Sequence, residues 1–445
     1  MPRPTLGVPT SPTRVRNPAP GTPGHWASIC RFVAGFLGLL ALTGCIETGS
    51  ESVGAPVARE EAIPTAPGAG MPFLSSAGDT VYLSWIEPDE GSGHRLRMAT
   101  RTPGGWSPAR TVAQRDDFFV NWADFPSVQV GPDDALWTHW LQRGGDATYD
   151  YGVRVSRSVD GGTTWSEPWT PHEDGTPTEH GFVSFLPDGD DMALVWLDGR
   201  RFVPGDDGPA TEEMALRYRT VTAGDEGLRG SGPETIVDSR TCDCCQTDAA
   251  VTSDGAVVVY RDRTDEEIRD IAVVRRGPGG WSEPHPVARD GWEIAGCPVN
   301  GPSVVARGDT VAVAWFTAAD DQPRVRLAWS FDGGVSFPVV REVADEAPLG
   351  RVDLLLRDEG SVLVSWLEGG GVGASDRARV RIRALEPEGE ATPAWTVATS
   401  LAGRTSGFPR LAEAGSGGPV LVAWTDADPD GIRGLRLIRF DPSLP

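Results

Sequence analysis

The strongest constraint on the fold is a short pattern that recurs seven times along the 445-residue chain. Each copy is a run of apolar and small residues that ends in an aromatic residue, the first being Val81-Tyr82-Leu83-Ser84-Trp85. The seven aromatic residues are Trp85, Trp140, Trp196, Tyr260, Trp315, Trp366 and Trp424. Neighbouring copies are 51 to 64 residues apart, and a period near this length, with four short strands per unit, is typical of a β-propeller.

The strands around each copy predict the blades. From the second unit onward a shorter strand precedes the pattern, as at 127–130, and two more strands follow it. We predict an all-β fold, a β-propeller of seven four-stranded blades, with six blades plus an irregular unit as the alternative. The seventh unit ends after three strands, so we expect residues 57–61 to supply its fourth strand, which closes the ring and removes a free edge.

A second motif marks the turn between strands three and four. Residues 158–165 read S-x-D-x-G-x-T-W, with Asp160 placed to cap backbone N–H groups, Gly161 and Gly162 suited to positive φ, and Trp165 anchoring the next strand. The motif recurs at 330–337, and eroded copies stand at 104–107 and 279–282. It resembles the Asp-box of the sialidase and BNR-repeat superfamily. This resemblance implies a fold rather than an activity.

The amino-terminal segment is typical of an export signal. Arg31 precedes an apolar run at 32–42, and Leu42-Thr43-Gly44-Cys45 follows. This ending resembles a bacterial lipobox, which implies cleavage before Cys45 and lipidation of its thiol. We predict a signal peptide with an N-terminal extension at 1–44, the lipidated Cys45 and a flexible tether at 45–70, and the propeller at 71–445. The expected location is the cell envelope, lipid-anchored on the periplasmic or outer side of a bacterial membrane.

The charge of the chain restricts its partners. The formal net charge is −23, and all 40 basic residues are arginine. An acidic protein of this kind is not suited to nucleic acid, and the lack of lysine excludes Schiff-base chemistry. We predict no cofactor. The expected partners are a glycan or another small polar ligand, the membrane through its lipid anchor, and, as an alternative, a protein of the envelope.

The propeller topology predicts where the reactive side chains gather. Loops that enter strand one and loops that leave strand two lie at the same end of the ring, which we call the mouth. The mouth loops hold the candidate catalytic residues Asp124, Glu179 and His180. The candidate ligand-binding residues there are Arg200, Arg261, Asp262, Asn300, Arg351, Asp353 and Arg410. Loops on a rigid scaffold commonly carry function, so we predict a binding site at the mouth.

The family resemblance implies a specific chemistry. Sialidases hold the substrate carboxylate with three arginines and use a tyrosine assisted by a glutamate as nucleophile, with an aspartate as acid and base. Arginines for this role are present in the mouth loops. The early Arg-Ile-Pro of the family is replaced by 71–74, M-P-F-L, and Tyr149 and Tyr151 are the only tyrosines expected near the mouth.

Three functional hypotheses follow. The first is binding of an extracellular glycan or another polar ligand, with or without its hydrolysis. Hydrolysis would be exo-α-sialidase-like or carried out by the Asp124/Glu179 pair, with His180 as another acid/base. The second is a non-catalytic interaction propeller of the cell envelope. The third is a metal or redox site on cysteines.

Four cysteines lie in the entering loops of neighbouring units. They are Cys242, Cys244, Cys245 and Cys297. Export favours disulfides, and we expect Cys297 to pair with one of the other three. Zinc or copper(I) ligation by the same set is the alternative.

Overall fold

A computed structural model of the protein describes residues 58–204, 210–358, 360–369, 377–427 and 431–441. Cys45 and the predicted signal peptide lie outside these residues. The described chain forms thirty β-strands and three single-turn 3₁₀ segments. The 3₁₀ segments are Arg200–Phe202, Ala319–Asp321 and Arg404–Ser406. Among the described residues, no helix has the length and hydropathy needed to span a membrane.

The strands are arranged in seven small antiparallel sheets. The first strand of the chain is β1 (Arg59–Glu60). Blade one contains β2 (Gly70–Ala77), β3 (Thr80–Pro88), β4 (His94–Thr102), β5 (Gly105–Trp106) and β6 (Arg110–Arg115). Blade two contains β7 (Ser127–Val130), β8 (Leu136–Arg143) and β9 (Tyr151–Ser158). Blade three contains β10 (His180–Asp188), β11 (Asp191–Asp198), β12 (Met214–Gly224), β13 (Gly227–Gly230) and β14 (Thr235–Thr241).

The remaining blades follow the same order. Blade four contains β15 (Asp248–Thr252), β16 (Gly255–Arg261), β17 (Ile271–Gly277), β18 (Gly280–Trp281) and β19 (His285–Pro286). Blade five contains β20 (Ser303–Arg307), β21 (Thr310–Thr317), β22 (Arg324–Ser330) and β23 (Val339–Ala344). Blade six contains β24 (Pro348–Leu356), β25 (Val362–Gly369), β26 (Arg377–Leu385) and β27 (Trp395–Leu401). Blade seven contains β28 (Arg410–Glu413), β29 (Val420–Ala427) and β30 (Arg433–Phe440).

The ring is closed by β1. This strand pairs antiparallel with β30, with Arg59 opposite Arg439, so blade seven gains its fourth strand from the start of the described chain. The predicted seven blades and the predicted N-terminal donor strand are confirmed, and the six-bladed alternative is wrong. Glu61 also binds Arg101 at 2.6 Å and the indole N–H of Trp106 at 2.8 Å on blade one. The propeller thus begins by residue 58, within the segment predicted as tether.

The recurring aromatic residue packs between blades. Trp85 on β3 is completely buried in a cluster with Leu421 and Leu437 of blade seven. Trp196 on β11 is equally buried, against Trp137 of blade two. Each of these two side chains packs against the preceding blade. The repeat exists in the sequence because every blade must bury one large side chain against its neighbour.

Blade two departs from the four-strand prediction. Its outer edge is a single bridge between Val155 and Trp169 rather than a strand. Pro168 and Pro171 flank Trp169, and a proline has no N–H to donate to a sheet. The proline-bounded segment therefore makes one backbone pair and no ladder.

The turn that ends β9 has the predicted geometry. The carboxylate of Asp160 accepts hydrogen bonds from the backbone N–H groups of Thr163 and Thr164 at 3.0 and 2.9 Å. Gly161 and Gly162 have φ of 68° and 84°, in the left-handed region that favours glycine. Asp332 caps Ser336 in the same way at 2.9 Å after β22. These turns lie at the end of the ring opposite the mouth.

Candidate functional site at the channel mouth

Strained backbone marks the mouth end of several blades, either in the first strand or in the loop that enters it. The non-glycine residues with positive φ at these positions are Met71 (55°), Phe182 (54°), Val299 (50°) and Arg351 (58°). At three of these positions, the backbone N–H of the strained residue donates a hydrogen bond to a side chain of the preceding blade. These pairs are Thr425 with Met71 (3.0 Å), Asp124 with Phe182 (2.9 Å) and Asn300 with Arg351 (2.7 Å). Such kinks re-aim side chains towards the mouth and join one blade to the next.

A tyrosine between two carboxyl groups lies at this mouth. Tyr151 begins β9, and its hydroxyl is 2.5 Å from Oε1 of Glu179 and 3.3 Å from Oδ2 of Asp124. A backbone bridge holds Glu179 beside Tyr151. The phenol ring stacks on Phe119 with centroids 3.9 Å apart. Sequence reasoning placed Asp124 and Glu179 in the candidate catalytic set but left out Tyr151, which joins them. We call these three residues the tyrosine–carboxyl group.

Burial shifts the protonation of the tyrosine–carboxyl group. It raises the pKa of Asp124 to about 8, opposed by the backbone N–H of Phe182 and reinforced by the charge of Glu179. It raises the pKa of Glu179 to about 7, with Asp243 contributing in the same direction. Burial and the two carboxylates raise the pKa of Tyr151 well above its ordinary value. Asp124 thus holds its proton more firmly than Glu179, which makes Asp124 the acid and Glu179 the base of the pair near neutral pH.

Gly181 leaves the space that this arrangement needs. A Cβ at this position would collide with Oδ2 of Asp124 and lie 3.0 Å from Cε2 of Tyr151. The residue does not have a positive φ, so the requirement is for space rather than for backbone freedom. The sequence Glu179-His180-Gly181 thus places a carboxylate and a gap on one turn of the mouth.

Arg351 lies on the other side of the loop that carries Asp124. Its guanidinium carbon is 4.8 Å from the ring centroid of Trp122, and Nη1 donates to the carbonyl oxygens of Gly403 and Gly407 at 3.0 and 3.1 Å. Among the described residues, Nε and Nη2 have no acceptor. Burial lowers the pKa of Arg351 to about 10, and Arg404 adds to this effect.

Three other predicted ligand-binding residues are used by the fold. Arg261 is 1% exposed, and it donates to the carbonyl oxygens of Asn300, Arg269 and Phe316 at 2.6 to 3.0 Å. Asn300 receives the backbone N–H of Arg351, as described above. Asp353 accepts the N–H of Leu411 at 2.7 Å. Arg261 was expected to hold a ligand, but its buried guanidinium is already bound to backbone carbonyls.

Arg410 and Asp262 were also predicted to bind a ligand, and each has a partner within the protein. Nη1 of Arg410 pairs with Asp353 at 3.0 Å, and its guanidinium lies 4.8 Å from the ring of Phe125. Asp262 accepts the backbone N–H of Arg263 at 2.7 Å. Burial, with the charge of Asp238, raises the pKa of Asp262 to about 6.

His180 and Arg200 belong to a separate buried network. His180 has no exposed surface, and its ring nitrogens lie 2.9 Å from the carbonyl oxygen of Thr178 and 3.1 Å from Asp174. Arg200 binds both oxygens of Asp198 at 2.7 Å and Glu234 at 2.6 Å. His180 was expected to act as an acid/base beside Glu179, but its side chain turns into this network instead. A metal ion is disfavoured there, because the guanidinium of Arg200 already lies 3.2 Å from Asp174.

The side chain of Gln246 bridges loops at the mouth. Gln246 accepts the N–H of Gly301 at 3.0 Å and donates to the carbonyl oxygen of Ala123, which joins opposite sides of the ring. Below it, a cavity of about 50 Å³ is lined by Phe125, Arg410 and their neighbours, which is too small for a sugar. A larger cavity of about 650 Å³ opens beside Asp243, Arg263 and Arg269.

The cysteines form one cluster in the same region. Cys244 and Cys297 are joined by a disulfide, and Cys242 and Cys245 are buried free thiols. The prediction that Cys297 pairs with one of the other three is confirmed. The sulfur atoms of Cys242, Cys244 and Cys245 lie within 4.8 Å of one another, as metal ligands would. The disulfide leaves two thiols, fewer than the four ligands of a structural zinc site.

Comparison with known proteins finds likenesses of structure. No protein-family model matches it, and no curated protein resembles it significantly. Its structure is similar to a Hadza microbial sialidase, with 15% identity, a TM-score of 0.42 and coverage of 67% of this chain and 63% of the other. A Trypanosoma rangeli sialidase gives 12% identity, a TM-score of 0.42 and coverage of 76% and 57%. The polysaccharide lyase Uly1 gives 10% identity, a TM-score of 0.48 and coverage of 83% and 89%. The chain thus spans less than two thirds of either sialidase, and at these identities the likeness concerns the fold alone.

Proposed function

We propose that this protein is an exported, lipid-anchored propeller that binds a glycan at its mouth and hydrolyses a glycosidic bond there. The observation that carries the proposal is the hydroxyl of Tyr151, held 2.5 Å from Glu179 and 3.3 Å from Asp124. Burying two carboxyl groups beside one phenol raises their pKa values, which disfavours the folded state at neutral pH. Groups arranged against stability in this way are typical of catalytic sites.

The three side chains have complementary roles in the proposed reaction. Tyr151 Oη attacks the anomeric carbon while its proton passes to the carboxylate of Glu179, and protonated Asp124 gives its proton to the leaving oxygen. In the second half, Asp124 takes a proton from water, whose oxygen bonds to the anomeric carbon. The bond between Tyr151 Oη and the anomeric carbon breaks as this new bond forms, and the phenol regains its proton from Glu179. The protein ends as it began, and the net reaction is hydrolysis.

Arg351 and Trp122 supply a recognition element for the same ligand. A guanidinium buried without an anionic partner among the described residues is costly, and a carboxylate from the ligand would satisfy Nε and Nη2 in the forked geometry that arginine favours. The indole of Trp122 offers a flat apolar face beside it. We therefore propose an acidic glycan, with its carboxylate on Arg351.

The membrane anchor in this proposal is supported by the sequence at 42–45. Cys45→Ala is expected to move the protein from the membrane fraction to the soluble fraction of the exported material. Mass spectrometry of the mature N-terminus would show the loss of the lipid. An unchanged membrane fraction would contradict the anchor without affecting the proposal for the mouth.

The catalytic proposal is tested by turnover on a panel of sialosides and acidic polysaccharides. Tyr151→Phe and Glu179→Gln are expected to abolish cleavage, while Arg351→Gln weakens binding on a glycan array. The matched control is Tyr218→Phe, which removes a tyrosine–carboxylate bond of 2.6 Å to Asp188 at the other end of the ring. Cleavage should be greatest between pH 7 and 8, since Glu179 must be ionised and Asp124 protonated.

The alternative is an interaction propeller without catalysis. Binding without cleavage, with Tyr151→Phe indistinguishable from the wild type, would favour it. The same result together with a protein partner captured by the intact mouth would replace the glycan proposal altogether.

A further inference from the structure

The four clustered cysteines form a series from the surface to the interior. Cys297 is exposed, Cys244 is half-buried, and Cys242 and Cys245 are each 1% exposed. Cys297 is bonded to Cys244, whose sulfur lies 3.9 Å from that of Cys242. The sulfur of Cys242 lies 3.2 Å from that of Cys245. Each sulfur is thus within reach of the next.

The buried thiols differ in reactivity. The hydrogen bond from the thiol of Cys245 lowers the pKa of Cys242 to about 7, against the effect of burial and with help from Arg261 and Arg269. Nη1 of Arg269 donates to this sulfur at 3.4 Å. Burial raises the pKa of Cys245 well above its ordinary value. Cys242 is therefore the thiolate of the pair, with a pKa near ambient pH, which is the optimum for an attacking thiol.

We propose that the four cysteines are a thiol–disulfide relay that carries oxidising equivalents from Cys297 at the surface to the buried pair Cys242 and Cys245. The relay is independent of the proposed hydrolysis, and its co-reactant is a low-molecular-weight disulfide. The surface end opens on the cavity beside Arg263 and Arg269, which Cys297 helps to line.

The proposed steps balance. The Cys242 thiolate attacks the sulfur of Cys244, which forms a Cys242–Cys244 bond and releases the Cys297 thiolate. Cys245, after losing its proton, attacks Cys242, which forms the Cys242–Cys245 bond and releases Cys244 as a thiolate. A small disulfide then reoxidises Cys244 and Cys297 and leaves as two thiols. Overall two protein thiols are oxidised, and one external disulfide is reduced.

The first experiment follows oxidation of the fully reduced protein by oxidised glutathione, with acid quenching and disulfide mapping by mass spectrometry. In the wild type, Cys244–Cys297 is expected first and Cys242–Cys245 later. In Cys297→Ser the entry point is gone, and Cys242–Cys245 formation should be lost or strongly slowed although both buried cysteines are present. An equal rate in Cys297→Ser would overturn the relay, as would stoichiometric zinc or copper in the purified protein.

The second experiment starts from protein that holds only the Cys244–Cys297 bond. Native-state alkylation should label Cys297 in the wild type and in Cys245→Ser, because the attack by Cys242 frees it. In Cys242→Ser, the labelling should disappear. Labelling that is the same in all three proteins, or absent from the wild type, contradicts the proposal. If a variant fails to fold, disulfide mapping of the wild type alone tests the relay. Labelled Cys297 must then appear together with a Cys242–Cys245 bond.

Discussion

Replacing Glu179 with glutamine is expected to make the protein more stable above neutral pH while removing its proposed activity. Glutamine has the shape of glutamate, and its carbonyl oxygen can still accept the hydrogen bond from Tyr151. The substitution removes the charge that burial opposes. Glu179→Gln should therefore raise the stability of the protein and remove its turnover, a trade-off that is common at functional sites.

The magnitude follows from the pKa of Glu179 in the folded protein. Burial raises it from 4.5 to about 7, and at 1.36 kcal/mol for each pKa unit the difference is about 3 kcal/mol. Because the pKa is higher in the folded protein, the folded state holds this proton more tightly than the unfolded chain does. Its contribution to stability is fully present below about pH 4.5 and is lost as the pH rises through about 7. Glu179→Gln has no such loss.

The assay is thermal unfolding of the wild type and Glu179→Gln from pH 4.5 to 8.5. The difference in Tm should move in favour of the variant by roughly 3–6 °C across this range for a chain of this size. A constant cost of repacking cancels in the comparison between pH values. Exposed Glu167→Gln is the control, and its Tm difference should stay flat. Parallel curves for the wild type and Glu179→Gln would refute the buried, proton-sharing site.

Three further predictions concern the scaffold. Gly181→Ala should lower the free energy of unfolding by about 1–3 kcal/mol and abolish turnover, because its Cβ meets Asp124. The control Gly279→Ala, with no described neighbour within 4 Å of its Cβ, should leave both unchanged. Arg261→Met should cost at least about 3 kcal/mol by denaturant unfolding, because three buried carbonyl oxygens lose their donor; a neutral result would contradict its structural role. A chain that begins at residue 62 should melt lower and scatter more light than one that begins at 58, because the edge of β30 is exposed; equal melting would show that β1 does not close the ring.

The fold was predictable because each blade repeats one physical requirement. A large residue such as Trp85 must fill the space against the preceding blade, so the period of the blades is written into the sequence. The ring closure was predictable for the same reason, since a unit with three strands has a free edge. The outer edge of blade two was not predicted. The edge lacks a fourth strand because of Pro168 and Pro171. These prolines prevent strand pairing locally and leave the spacing of the aromatic repeat unchanged.

The candidate site was predictable as a region but not as a set of contacts. The topology brings the loops of Asp124 and Glu179 to one mouth, and the structure joins them through Tyr151. That contact depends on the backbone bridge between Tyr151 and Glu179 and on the gap at Gly181, which no spacing rule contains. His180 shows the same limit, because adjacent residues on a strand point to opposite sides. Its neighbour Glu179 faces the mouth while His180 faces the Asp174 network.

Two buried arginines show how scaffold and recognition roles can be separated at this mouth. Arg261 has three of its nitrogen atoms bound to backbone carbonyls, so its charge is spread over dipoles that the fold itself supplies. Arg351 has one nitrogen so bound, and the charge that acts on it is the like charge of Arg404. The same cost of burial is thus offset within the protein at Arg261 and only in part at Arg351. An anion that binds the mouth would supply the missing part, which is why the pKa of Arg351 should rise on ligand binding.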